Sequence, residues 1–449
     1  MTKDFINVFG AGLAGCEAAY QAAQMGVRVN LYEMKPVKQT PAHKSDNFCE
    51  LVCSNSLRSN QLSNAIGLLK KELSLMNSLV MEAAYNCQVS AGSALAVDRE
   101  RFSKYVTDKI RSHPLITVYE QEVTSIPEDE ITVVATGPLT SEPFSDYLND
   151  YLCGRSLHFF DAAAPIIEAE SIDMSKAFLA SRYGKGEACY INCPMTREEY
   201  TAFYNELINA KEAPLKAFDR ESQEDLTVFE GCMPVEVMAK RGFETLLFGP
   251  LKPVGLPCPD TGEDAFATVQ LRCENNEKTM YNMVGFQTHL TFAEQKRVFG
   301  MIPGLENAQF YRYGVMHRNT FINSPGILNC YYSMKDKTNV FFAGQMTGVE
   351  GYIESASSGF VAGVNASLTA RDMQMIDFPT KTATGALAHY VSTPNNNFQP
   401  MNVNFGIIDL LDRKVKGGKS VRNEAISMRS IDYITEEILP KLKEYRNKE

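Results

Sequence analysis

Phe5-Ile6-Asn7-Val8-Phe9-Gly10-Ala11-Gly12-Leu13-Ala14-Gly15 opens the chain, and Cys16 to Gln24, Val27 to Leu31 and Glu33 follow it. The apolar run from Phe5 to Phe9 reads as a short buried strand, bounded at once by glycines. Cys16 to Gln24 is rich in good helix formers, and Val27 to Leu31 reads as a second buried strand. Gly10-x-Gly12-x-x-Gly15 stands where strand passes into helix. There the first glycine allows the tight turn, the second lets backbone approach a pyrophosphate, and the third lets helix pack on strand. The helix N-terminus faces the phosphates. Glu33, 21 positions after Gly12, is placed to accept from a ribose hydroxyl. Strand, glycines, helix, second strand and acid together point to a dinucleotide site rather than a merely structural turn. Its candidate residues are Gly10, Ala11, Gly12, Leu13, Ala14, Gly15 and Glu33.

The 449 residues suffice for two or three domains, and 44% hydrophobic with 22% charged residues is an ordinary globular composition. No run of about 18 apolar residues is present, so no membrane span is expected. The N-terminus lacks a basic-apolar-small leader pattern, which predicts a cytoplasmic protein. Eleven cysteines in such a chain are not a disulfide framework. Cys49-x3-Cys53 and Cys189-x3-Cys193 lack paired zinc spacing, so no metal is expected. A net charge of −10 argues against a basic coat but leaves room for a local patch that binds RNA.

Farther along, Asp46 to Asn60 is a polar stretch that predicts a loop, and Cys53 on it is the best placed of the ordinary cysteines for chemistry. Apolar residues at helical spacing predict one amphipathic helix from Ile66 to Ala84. Ile131 to Ala135 is a strand ending in Ala-Thr-Gly, and a domain boundary is expected near residue 140. In the middle third, strand-like pieces (159–167, 189–194 and 245–249) alternate with turns and one polar helix, 197–210. Phe229-Glu-Gly-Cys232-Met-Pro234 leads into a helix-compatible run ending at Lys240-Arg241. A helix N-terminus and two nearby bases favour a thiolate; a buried free cysteine beside a turn fits the same residues. His289 fits a structural histidine as well as a functional one. Tyr311-Arg312-Tyr-Gly-Val-Met-His317-Arg318 interleaves bases and aromatics, as single-stranded RNA contact requires and as a solvated loop also does.

Asn339 to Gly359 carries the second strong signal. A buried strand ends in Ala343-Gly344, then Gln345, Gly348, Glu350 and Gly351 lead into a small-residue helix, Ser355 to Ala366. Backbone N–H groups there can hold a flavin's phosphate arm and pyrimidine edge. The chain thus begins and ends in one cofactor domain. The expected fold is α/β: a two-dinucleotide-binding, Rossmann-like FAD domain (1–140 and 331–449) with an inserted α/β domain (141–330). Arg413 to Arg422 is expected to be a basic loop.

Several long motifs together carry a resemblance. They are Gly10–Gly15 with Tyr32-Glu33-Met-Lys-Pro, Glu50-Leu-Val-Cys53-Ser-Asn-Ser-Leu-Arg-Ser-Asn60, Phe229–Gly242, Gly285-Phe-Gln-Thr-His289-Leu, Tyr313–Asn323 and Phe342–Gly351. The chain resembles, nearly end to end, the FAD- and folate-dependent tRNA uracil-5-methyltransferases (TrmFO). The resemblance implies that NADPH or NADH reduces FAD and that methylenetetrahydrofolate supplies one carbon for 5-methyluridine, formed in the T-loop of tRNA. It maps the nucleophile that adds to uracil C6 onto Cys232. Cys53 becomes the base at C5 or a guard of the flavin, and His289 a stacking partner of the pterin, with Phe292 beside it. Lys240, Arg241, Arg312 and Arg318 are the candidate RNA contacts among the basic residues of these stretches.

Two departures stand out. Cys49 occupies a position where alanine is expected. Phe292 replaces a tryptophan, which lowers stacking area and removes an N–H donor. Three other readings stay open: the same chemistry on a 23S ribosomal RNA uridine, a flavin thiol–disulfide reductase using Cys49 and Cys53, and a non-catalytic RNA-binding factor that retains FAD.

Overall fold

The glycine turn lies where the strand order of a parallel sheet reverses. The computed structural model describes residues 4–447 except 41, 154–155, 163, 185–186, 214–232, 276, 315, 396–397 and 414, and excepting the side chains of 156–162 and 316–320. The chain enters through β1 (Phe5–Phe9), α1 (Leu13–Gln24) and β2 (Arg28–Glu33). Next come β3 (Ser56–Ser59), α2 (Ala65–Leu75), α3 (Leu79–Asn86), β4 (Gln88–Val89), β5 (Ala94–Val97) and α4 (Arg99–Arg111). β6 (Ile116–Glu120), β7 (Thr132–Val134) and α5 (Glu142–Tyr151) complete the first pass.

The middle of the chain supplies β8 (Ser156–Ala162), β9 (Ile166–Glu168), β10 (Phe178–Ala180), β11 (Tyr190–Met195), α6 (Arg197–Ile208) and α7 (Val235–Lys240). β12 (Ala267–Cys273), β13 (Met280–Met283), α8 (Phe292–Phe299), β14 (Phe310–Arg312), β15 (Met316–Ile322) and α9 (Ser324–Ile327) follow. The return comprises β16 (Val340–Phe342), α10 (Tyr352–Ala370), α11 (Ala383–Tyr390), α12 (Lys419–Tyr433) and α13 (Leu439–Asn447).

The first sheet has the order β16-β7-β1-β2-β6 and is parallel throughout. β1 is buried after its first residue and β7 throughout, as strands covered on both faces are, whereas β2 alternates buried with more exposed positions. The second sheet, β10-β11-β12-β13-β9-β14, is antiparallel. One apolar core gathers residues between Ile6 and Leu152 and between Phe321 and Leu442; a second gathers residues between Ile167 and Ala308. The β8–β15 ribbon connects the two.

α1 and α10 pack at backbone distance. A Cβ on Gly359 would sit 2.1 Å from the Ala14 oxygen, and one on Gly363 would sit 2.4 Å from the Ala18 oxygen. The small residues of both helices are therefore a packing requirement, which seats the returning helix against the helix that follows the glycine turn. α4 begins on Asp98, whose side chain accepts from the Arg101 N–H at 3.0 Å, and ends with Lys109 and Arg111, charges that suit the helix dipole.

Three expectations need correction. The predicted helix 66–84 is two helices, because Asn77 adopts a left-handed φ of +65° and Ser78 caps the second. Residues Thr245–Phe248 form a 3-10 turn rather than a strand. Lys419 to Arg422 are the first turn of α12 rather than loop.

Candidate functional site

The first turn is built as its spacing requires. A Cβ on Gly15 would lie 1.8 Å from the Gly10 oxygen, whereas one on Gly12 would meet nothing within 4 Å. The open side at Gly12 is the side a pyrophosphate needs. Ala11, Leu13 and Ala14 are buried around it. Glu33, at the end of β2, accepts from the Ala11 N–H at 2.8 Å and from the Lys35 N–H at 3.1 Å. Its carboxylate thus braces the turn and keeps further lone pairs for a ribose hydroxyl. Tyr32, Glu33, Gln121, Thr136 and Phe144 line the cleft outside the strand ends, where α/β sheets bind nucleotides.

Cys49 belongs beneath this turn. Its N–H donates to the Ala11 oxygen at 3.0 Å, and its buried thiol hydrogen-bonds that of Cys16. Burial, followed by that neighbour, pushes the Cys16 thiol well up. Cys49 therefore serves the packing under the turn.

The second turn lies between β16 and α10. The Gly344 N–H donates to Ser358 Oγ at 2.7 Å, and Gln345 Nε2 reaches both oxygens of buried Glu350 at 2.9 Å. Gly348 and Gly351 complete it. Gly351 has φ +112°, and a Cβ there would meet Glu354 Oε2 at 2.4 Å. Fully buried Glu354 pairs with Arg58, yet its Oε2 has no partner among the described residues. Buried Lys70 lies behind this pair, donating to the Leu57 and Arg58 oxygens at 2.8 and 2.9 Å. Burial and then Arg58 bring its amine down to about 7.

Cys53 sits where these parts meet the second sheet. The Tyr352 hydroxyl accepts from the N–H groups of Cys53 (2.8 Å) and Ser54 (3.2 Å). Arg99 donates to the Leu51 oxygen and, at 3.1 Å, to the Val52 oxygen. Arg312, from β14, also donates to the Val52 oxygen, and its Nε has no partner among the described residues. Arg99 pairs with buried Glu274. Burial disfavours the Arg99 charge, but Glu274, Tyr352 and Cys53 outweigh it; burial and Arg99 together push Arg312 down. Asn55 crosses to the second sheet, donating to the Cys273 oxygen at 2.9 Å and accepting from Arg272 Nε at 2.9 Å.

Cys232 lies outside the described residues, but the helix after it is fixed. The Val235 N–H donates to the Gln287 oxygen at 2.7 Å. Glu236 accepts from the His289 N–H at 2.6 Å and from Thr288 Oγ1 at 2.9 Å. The segment after Cys232 and the His289 turn are thereby one unit. Burial lowers the His289 pKa, which favours a neutral ring. Phe292 is 54% exposed and stacks on Tyr313 at 4.7 Å, which stacks on Phe310 at 4.8 Å. Lys240 pairs with Glu212 on the surface, and Arg241 ends α7. The Arg318 side chain is outside the described set. Arg312, expected to face RNA, turns inward to Val52.

A family model described as glucose inhibited division protein A matches residues 5–374. The methylenetetrahydrofolate–tRNA-(uracil-5-)-methyltransferase TrmFO of Acetivibrio thermocellus is 59% identical over 434 residues, covering 96% of this chain and 98% of that one. The protein of the same name from Listeria monocytogenes serotype 4b is 57% identical over 430 residues, covering 96% and 98%. The chain belongs to the TrmFO family. A solved GidA structure from Aquifex aeolicus matches with a TM-score of 0.70 at 17% identity, covering 99% of this chain and 75% of that one. That likeness carries the fold alone, an α/β architecture.

The residues fit the FAD that TrmFO proteins use: an open face over Gly12, a cleft at the switch point, and orphaned polar atoms on Glu354 and Arg312 beside the second turn. Five residues that build this region were not singled out from sequence: Arg58, Lys70, Arg99, Tyr352 and Glu354. Arg58, Tyr352 and Glu354 lie inside stretches quoted for their motifs and Arg99 lies outside them, and nothing local reveals the partners of any of the four. Lys70 has no sequence signal, being one lysine on a helix. No helix among the described residues is long and apolar enough to cross a membrane.

Proposed function

We infer that the chain is an FAD- and methylenetetrahydrofolate-dependent tRNA uracil-5-methyltransferase, reduced by NADPH or NADH and working in the cytoplasm. The observation that carries this is the meeting at Cys53: a loop of the flavin-side core, held by Tyr352 from the second turn and clasped by Arg312 from the other sheet. Near-complete alignment with relatives that bear this activity in their names supports it. In this reading 1–140 and 331–449 hold the flavin, and 141–330 presents the RNA.

Uracil is a poor nucleophile at C5 until a thiolate adds at C6. Cys232 performs that addition, and Cys53 takes the C5 proton, its negative charge favoured by Arg99 and Arg312. Bound FAD supplies the one-carbon transfer and the hydride. His289 and Phe292 form an apolar stacking face for the pterin. Gly10–Gly15 and Glu33 hold the nucleotide half, and Gly344, Gln345, Gly348, Glu350 and Gly351 the flavin half. Lys240, Arg241 and Arg318 contact RNA phosphates, while Arg312 orders the Cys53 loop.

Purified protein incubated with NADPH, methylenetetrahydrofolate and unmodified tRNA should yield 5-methyluridine by mass. Product on ribosomal RNA alone would move the target, and no product on either would overturn the assignment. Cys232→Ala should retain FAD yet fail to capture RNA containing 5-fluorouridine; continued capture would place the nucleophile elsewhere.

A further inference from the structure

Three side chains from remote segments converge away from the flavin cleft. Cys330 lies in the turn closed by the Leu328–Met334 bridge, Asp377 lies between α10 and α11, and His389 lies in the last turn of α11. Their sulfur, carboxylate oxygen and ring nitrogen all lie within 4.8 Å of one another. His389 Nε2 is 2.9 Å from Asp377 Oδ1. The carboxylate also takes the Cys330 hydrogen bond, and burial followed by that charge pushes the thiol up to about 11. His389 also borders a surface cleft with Thr380, Tyr390 and Thr393.

We propose that Cys330, Asp377 and His389 bind one zinc ion, with water from the cleft as fourth ligand. Thiolate with imidazole selects zinc over magnesium or calcium, which take oxygen ligands, and three protein ligands leave one tetrahedral position open. Bonds of about 2.3 Å to sulfur and about 2.0–2.2 Å to nitrogen and oxygen place tetrahedral ligands roughly 3.3–3.8 Å apart. That spacing lies within the observed 4.8 Å limit, so adjustment of side chains suffices. As the sulfur–zinc bond forms, the thiol proton leaves to solvent. The carbonyl end of α11 favours the cation. Ser333, in the same turn as Cys330, bridges Phe341 of β16. The ion would therefore clasp residues 377–390 to the strand that feeds Gly344.

The test is cobalt titration of FAD-loaded, chelator-stripped protein, followed by competition with zinc. One equivalent should produce a sulfur-to-cobalt charge-transfer band that zinc removes. Cys330→Ser, its FAD content unchanged, should lose the band and bind zinc at least about tenfold more weakly. A folding defect would mimic that loss, so the wild-type protein supplies a second measurement. Zinc should shield Cys330 from alkylation, read peptide by peptide against the other cysteines. No thiolate band in the wild type, a band that survives Cys330→Ser, or equal alkylation of Cys330 with and without zinc would each overturn the site.

Discussion

Arg99 and Arg312 donate to one acceptor, the carbonyl oxygen of Val52. The two come from different elements, Arg99 from the head of α4 and Arg312 from β14 at the edge of the second sheet. Glu274 neutralises Arg99, which leaves a net positive environment at the next residue, Cys53. Arg312→Gln should slow alkylation of Cys53 at neutral pH by about tenfold, since the thiolate is the reacting form. Arg99→Gln should also destabilise the protein by about 3–5 kcal/mol, because Glu274 is left buried and unpaired. Urea unfolding and peptide-resolved alkylation measure both, and an unchanged alkylation rate in Arg312→Gln would remove the electrostatic role.

Tyr352→Phe deletes the acceptor shared by the Cys53 and Ser54 N–H groups. Leaving them unsatisfied should cost about 1–3 kcal/mol. Hydrogen exchange at those two amides should accelerate, while amides of α1 stay protected. Equal protection in the two proteins would show that another group holds the loop.

Gly359→Ala forces α10 away from α1, because the added methyl meets backbone at 2.1 Å and backbone cannot rotate aside. Overpacking of this kind costs about 1–3 kcal/mol. The retreat also widens the gap between the two flavin turns, so the purified variant should carry markedly less FAD per chain by absorbance. Full occupancy with unchanged thermal stability would show that the helices separate without cost.

Lys70 predicts a pH dependence of definite sign. Its folded amine titrates near 7 against an ordinary value of 10.5, so between these limits the unfolded chain binds more protons. Stability should then rise with pH from about 7 to 10, with a slope approaching 1.4 kcal/mol per pH unit from this group, and should be flat in this group below 7. Lys70→Met should remove that rise while orphaning the Leu57 and Arg58 carbonyls. Identical slopes for variant and wild type in pH-dependent urea unfolding would exclude a perturbed lysine.

The glycine turn, Glu33 and the second cradle at Gly344–Gly351 were legible in sequence because each depends on contacts a few residues apart or on a strand–helix unit of fixed length. The inward route of Arg312 was not, because an arginine among aromatics reads the same whether it faces water or a buried carbonyl. The break at Asn77 was masked by apolar spacing that continues across it.

What the sequence alone determined is the order of local units and the backbone freedom at their joints, since glycine spacing and apolar period act at short range. Only the tertiary structure decided which side chains share a site. Cys53 and Tyr352 are 299 positions apart, and Cys330, Asp377 and His389 come from three segments. Their partnerships follow from how α10 seats on α1 and how the second sheet docks, and both depend on packing between remote surfaces.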